Sequence, residues 1–113
     1  MKKKSLFKNY TYQFDKNEKK ILSTFCKQAL QQVSSEEKYY AEARIYNSIL
    51  DKLNKDTEEV KLTKEEKLRL VTQLRENIKY LGEKMKKSWF VKRWLYRSVY
   101  AQYNSILQKH FDE

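Results

Sequence analysis

Apolar positions recur along this chain mostly at spacings of three and four, the period of a helix burying one stripe, and only twice at a spacing of two. Tyr10, Tyr12 and Phe14 alternate with Thr11 and Gln13, as a half-buried strand would. The period then changes. Asp15 followed by Glu18 has the spacing of a capping box, and Leu22, Cys26, Ala29 and Val33, thickened by Ile21, Phe25 and Leu30, form one helical stripe. Ser34 with Glu37 repeats the box, and Tyr39, Ala43, Tyr46, Leu50 and Leu53 predict a second helix that ends in the polar run from Asn54 to Glu59. Val60 and Leu62 alternate briefly. Thr63 and Glu66 then cap a third helix with the stripe Val71, Leu74, Ile78, Leu81 and Met85, which Gly82 is expected to end or loosen. A fourth helix is predicted from near Ser88. It carries two adjoining stripes, Trp89, Tyr96, Tyr100, Tyr103 and Leu107 beside Val91, Leu95, Val99 and Ile106, an arc wide enough to predict the most buried helix of the four.

These elements predict an all-α chain: a four-helix domain of two helical hairpins, with a short two-stranded ribbon pairing residues 10–14 with residues 60–62. The pairing is expected because each strand alone would leave its backbone groups unsatisfied. Composition agrees. There is no proline and a single glycine, so turn-rich sheet folds are disfavoured and long helices joined by short polar links are favoured. With 113 residues the expectation is one domain, which can bury roughly two thirds of its unfolded surface. Within it, residues 10–55 and 58–113 look alike. QFDKNEKKIL at 13–22 aligns with KLTKEEKLRL at 61–70, and YNSIL occurs at 46–50 and again at 103–107. A duplicated strand plus helical hairpin accounts for this. So does coincidence, because capping boxes are common and the chain is rich in Tyr, Asn, Ser and Leu.

Charge changes the picture more than composition does. The net charge of +10 comes from two stretches: residues 1–20 hold seven lysines against Asp15 and Glu18, and residues 84–97 hold six cations and no acid. Residues 21–83 balance eleven basic against eleven acidic side chains. The second stretch, KMKKSWFVKRWLYR, threads Trp89, Phe90, Trp94 and Tyr96 through Lys84, Lys86, Lys87, Lys92, Arg93 and Arg97. Cations neutralise phosphates and release counterions, and exposed aromatic faces stack unpaired bases, so the pattern points to a polyanion such as a single strand or a duplex backbone. On one helical ridge, Lys86, Arg93 and Arg97 recur at spacings of seven and four, with Phe90 and Trp94 on the same side. The structural alternative is that the aromatics are core and the cations solvate the opposite face. Trp89 and Tyr96 lie on the main stripe and read as core. Trp94 and Phe90 lie off it beside the arginines and read equally as core and as contact.

Catalysis finds little to build on. His110 is the only histidine and Cys26 the only cysteine, so neither a nucleophilic relay nor a zinc site has the residues it needs. His110 reads as a helix-end residue near the negative pole of the dipole, and Cys26 as a small core residue. Glu36, Glu37, Glu58, Glu59, Glu65 and Glu66 fall in first turns or a loop, where they complement helix starts. One glycine makes no phosphate-cradling loop. The expectation is a non-enzyme with no cofactor, no metal and no small-molecule substrate.

The lone cysteine fits a reducing compartment. Lys8, Asn9 and Thr11 interrupt the apolar run that a secretion signal would place after MKKKSLF, and no segment has the length to span a bilayer. The chain is therefore read as cytoplasmic, with nucleic acid as the favoured partner. A second reading of the same residues is a protein-binding adaptor or a membrane-face protein, because basic amphipathic segments bearing Trp lie on anionic headgroups and Lys2, Lys3 and Lys4 add attraction. In general architecture a small basic four-helix protein is broadly similar to bacteriocin immunity proteins, although no motif of that family matches residue by residue. A third reading is a subunit of a larger assembly, whose nine tyrosines partly serve an interface.

Overall fold

Asp15 and Glu18 close the capping box that their spacing predicts: the Glu18 amide donates to Asp15 Oδ1 at 2.7 Å and the Asp15 amide donates to Glu18 Oε1 at 3.0 Å. From this start a helix runs without interruption over Lys16–Val33. The computed structural model describes residues 10–33, 39–87 and 90–111. In them the element order is β1 (Tyr10–Tyr12), α1 (Lys16–Val33), α2 (Tyr40–Leu53), β2 (Val60–Leu62), α3 (Lys64–Lys87) and α4 (Phe90–Ile106), followed by a π-helical turn over Leu107–Phe111. The class is all-α, with four helices and one small two-stranded sheet.

The strands pair antiparallel with Tyr10 opposite Leu62, Thr11 opposite Lys61 and Tyr12 opposite Val60. The ribbon is shorter than predicted on its first side, since Gln13 and Phe14 lie beyond the last pair. Such a ribbon is marginal alone. Here Val60 and Leu62 are buried while Lys61 faces out, so one face is anchored by apolar burial.

The chain divides into two units within α3, between Arg69 and Leu70. In the first, α1 packs on α2, and Leu22, Phe25, Cys26, Tyr46, Ile49 and Leu62 are almost wholly removed from water. Each large side chain so buried contributes about 1.5 to 3 kcal/mol, against a backbone ordering cost of about 1 to 2 kcal/mol per residue. Lys19 on α1 holds the polar loop before β2, donating through Nζ to the Thr57 carbonyl at 2.6 Å and the Lys55 carbonyl at 3.3 Å. The predicted box at Ser34 and Glu37 lies outside the described residues. The described α2 begins after Tyr39 with no side-chain cap.

In the second unit the buried side chains are Leu70, Val71 and Leu74 on α3, Tyr103 and Ile106 on α4, and Leu107 and Phe111 on the π-helical turn. Two expectations are corrected here. Gly82 does not end α3, which continues to Lys87 with no positive φ at the glycine. The residues that follow it, Glu83 to Lys87, are strong helix formers, and one Gly costs only about 1 kcal/mol against them. Nor is α4 buried along its length: Leu95 is 55% exposed, Tyr96, Val99 and Tyr100 are half-buried, and full burial begins only at Tyr103. Lys92 to Leu95 lie on the surface.

Candidate nucleic-acid interface

The basic segment is split by the fold. Lys84, Lys86 and Lys87 occupy the last turn of α3, whereas Lys92, Arg93, Trp94 and Arg97 lie on α4. The single ridge expected for Lys86, Arg93 and Arg97 therefore does not exist, because the helix ends between them. They meet across the two helices instead.

The two sets of cations stand in opposite electrostatic positions. At the C-terminal end of α3, cations complement the partial negative charge of the unpaired carbonyls. Helix stability alone explains them. The first turn of α4 carries no acid and instead holds Lys92 and Arg93 against the partial positive charge of the unpaired amides. There each cation is unfavourable by about 0.3 to 1 kcal/mol. Helix stability does not explain these two, and residues that break a local rule cluster at functional sites.

Arg93 recovers part of that cost. Its Nε donates to the Met85 carbonyl at 3.0 Å, one of the carbonyls left without an intrahelical partner at the end of α3. The contact joins the start of α4 to the end of α3. A Cβ built on Gly82 would stand 3.7 Å from Tyr100 Cε2, so farther along the pair the Tyr100 ring faces the bare backbone of Gly82. Between these contacts lies a groove of about 780 Å³ whose lining includes Lys79, Lys86, Arg93 and Arg97, one carboxylate, Glu83, and the apolar surfaces of Ile78, Met85 and Tyr100.

Of the eight residues expected at the site, Lys86, Arg93 and Arg97 line this groove, and Lys84, Lys87 and Lys92 are exposed outside its lining. Lys84 lies with its Nζ 5.4 Å from the centre of the exposed Tyr80 ring. Trp94 is 70% exposed, which assigns it to the surface rather than the core. The Phe90 side chain, Trp89 and the N-terminal lysines lie outside the described residues. Lys79 and Tyr100 belong to the groove and were missed. The signal for Lys79 was its position seven residues before Lys86, hence on the same face of α3.

Cys26 is fully buried, and burial pushes its thiol up to about 12, so it is protonated at neutral pH. His110 lies half-buried in the π-helical turn with its ring 6.5 Å from that of Phe111. Glu66 is buried and fully engaged: it receives the Thr63 amide at 2.9 Å, Lys52 Nζ at 2.6 Å and Ser48 Oγ at 2.5 Å. Burial pushes its carboxyl up, and the hydrogen bonds from Lys52, Ser48 and Thr63 with the Lys52 charge outweigh that and hold it below the usual range. Among the described residues no helix is long and apolar enough to cross a membrane.

No protein-family model, no curated protein and no solved structure matches this chain.

Proposed function

We propose that this protein is a small non-catalytic binding module that associates with nucleic acid in the cytoplasm through the basic aromatic segment of residues 84–97. The observation that carries the reading is Trp94, 70% exposed on a helix start that also bears Lys92 and Arg93, where the aromatic does not serve the core and the cations oppose the helix dipole. A solvated tryptophan face beside phosphate-binding cations supplies base stacking and counterion release together. The cytoplasm suits both the partner and a single unpaired thiol.

Binding to a labelled oligothymidylate across a salt series tests this. Affinity falls steeply with salt, and Lys86→Ala with Arg97→Ala lowers the slope of log affinity against log salt by about one to two units. Trp94→Ala weakens binding by about 1 to 3 kcal/mol and leaves the slope unchanged, because stacking releases no counterions. A membrane-face protein is the rival reading, favoured by Leu95, which lies 55% exposed next to Trp94 and has no use in stacking. Tighter binding to phosphatidylserine vesicles than to the oligonucleotide, with a blue shift of tryptophan fluorescence, would decide for it.

A further inference from the structure

We propose that the groove between α3 and α4 is the track of one single-stranded backbone, with phosphates on Lys79, Lys86, Arg93 and Arg97 and a neighbouring base stacked on Trp94. This rests on the nucleic-acid reading above and narrows it to single strands and to a path.

The groove sets four cations against the single carboxylate of Glu83 within about 780 Å³. That volume suits a few nucleotides of one chain and lies in the range of ordinary ligand clefts, whereas a duplex is far wider and meets convex or groove-filling surfaces. The cations come from both walls, Lys79 and Lys86 from α3 and Arg93 and Arg97 from α4, so a backbone lying along the groove is neutralised from two sides. Arg93 is held in place through its Nε by the Met85 carbonyl. The groove is thus preorganised at one end by this bond and bounded by the Tyr100 ring facing Gly82. Trp94 follows Arg93 and precedes Arg97 by three positions, which puts it on the flank of α4 next to the groove-lining face. A stacked base needs an unpaired face, and a single strand offers one at every nucleotide. Glu83 sits where it repels the phosphates, and this gives the path a signature of opposite sign.

Two double variants of equal charge separate the groove from net charge alone: Lys79→Gln with Arg97→Gln inside it, and Lys27→Gln with Lys61→Gln, exposed lysines outside residues 84–97. Affinity for a labelled oligothymidylate of about ten nucleotides is measured by anisotropy at about 0.1 M salt, with circular dichroism confirming the fold of each variant. The groove pair is expected to lose about tenfold or more and the outer pair less than about threefold, while Glu83→Gln binds more tightly than the parent protein. A duplex of matched length is expected to bind the parent protein at least about tenfold more weakly than the single strand. Equal losses for the two pairs, no gain from Glu83→Gln, or equal binding of the duplex would overturn the groove while leaving nucleic-acid association standing. A parent protein that binds no oligonucleotide would remove the underlying reading itself.

Discussion

Gly82 is the only glycine in the chain, and inside α3 it loses more conformational freedom on folding than any other residue would. Its φ is not positive and a Cβ there would meet Tyr100 at 3.7 Å, an ordinary contact. Gly82→Ala is therefore expected to raise stability by about 0.5 to 1 kcal/mol in urea denaturation. A loss instead would show that the Tyr100 ring requires bare backbone at this point. Several single residues were legible in advance. Tyr46 and Tyr103, the matched tyrosines of the two YNSIL segments, are both buried, and Cys26 is core. Others were not. Ile49 is fully buried but sits beside the stripe traced through Tyr46 and Leu50, Leu95 is exposed although it stands on a predicted stripe, and Trp94, which spacing left open between core and contact, is exposed. Spacing reports which residues share a face of a helix, and burial depends on whether another element covers that face.

At the scale of elements, both described capping boxes form reciprocally, the second with the Glu66 amide donating to Thr63 Oγ1 at 3.1 Å and the Thr63 amide to Glu66 Oε1 at 2.9 Å. Such boxes are legible because they need only four residues of local chain. The further engagement of Glu66 by Lys52 and Ser48 on α2 was not legible, since it is made across elements. It turns a helix cap into a tie between α2 and the start of α3. Because the folded carboxyl is held below its unfolded value, its contribution is fully present above the unfolded glutamate range of about 4 to 5 and is lost as pH falls through the folded value. Glu66→Ala is expected to cost about 1 to 3 kcal/mol at neutral pH and to flatten the acid limb of the stability profile. Parallel acid limbs for parent and variant would show that other carboxylates govern it.

Over the whole molecule the net charge of +10 is unevenly spread, and like charges crowd where residues 84–97 gather. Self-repulsion of this kind opposes folding and is screened by salt. Raising ionic strength from about 0.01 to about 0.1 M shortens the screening length from about 30 to about 10 Å and is expected to raise the melting temperature by a few degrees. Salt would weaken attractive pairs as well, such as the partly exposed Arg69 and Glu42 at 2.8 Å, but exposed pairs of this kind are worth little. A melting temperature that falls with added salt would show that attraction outweighs repulsion. The element order is a strand and two helices, twice over.

The sequence by itself determined whatever local chain geometry decides: helical class, from apolar spacing without proline; two helix starts, from boxes four residues long; and the antiparallel ribbon, from two alternating scraps whose backbone groups needed partners. It also located the charge. Only the tertiary structure decided that the basic segment is not one ridge but two walls, because the end of α3 and the start of α4 are joined by contacts between helices, Arg93 to Met85 and Tyr100 to Gly82. A periodic pattern records the direction of each side chain about its own helix axis. Which axes lie side by side, and so which cations face one another across a groove, is set by packing between helices.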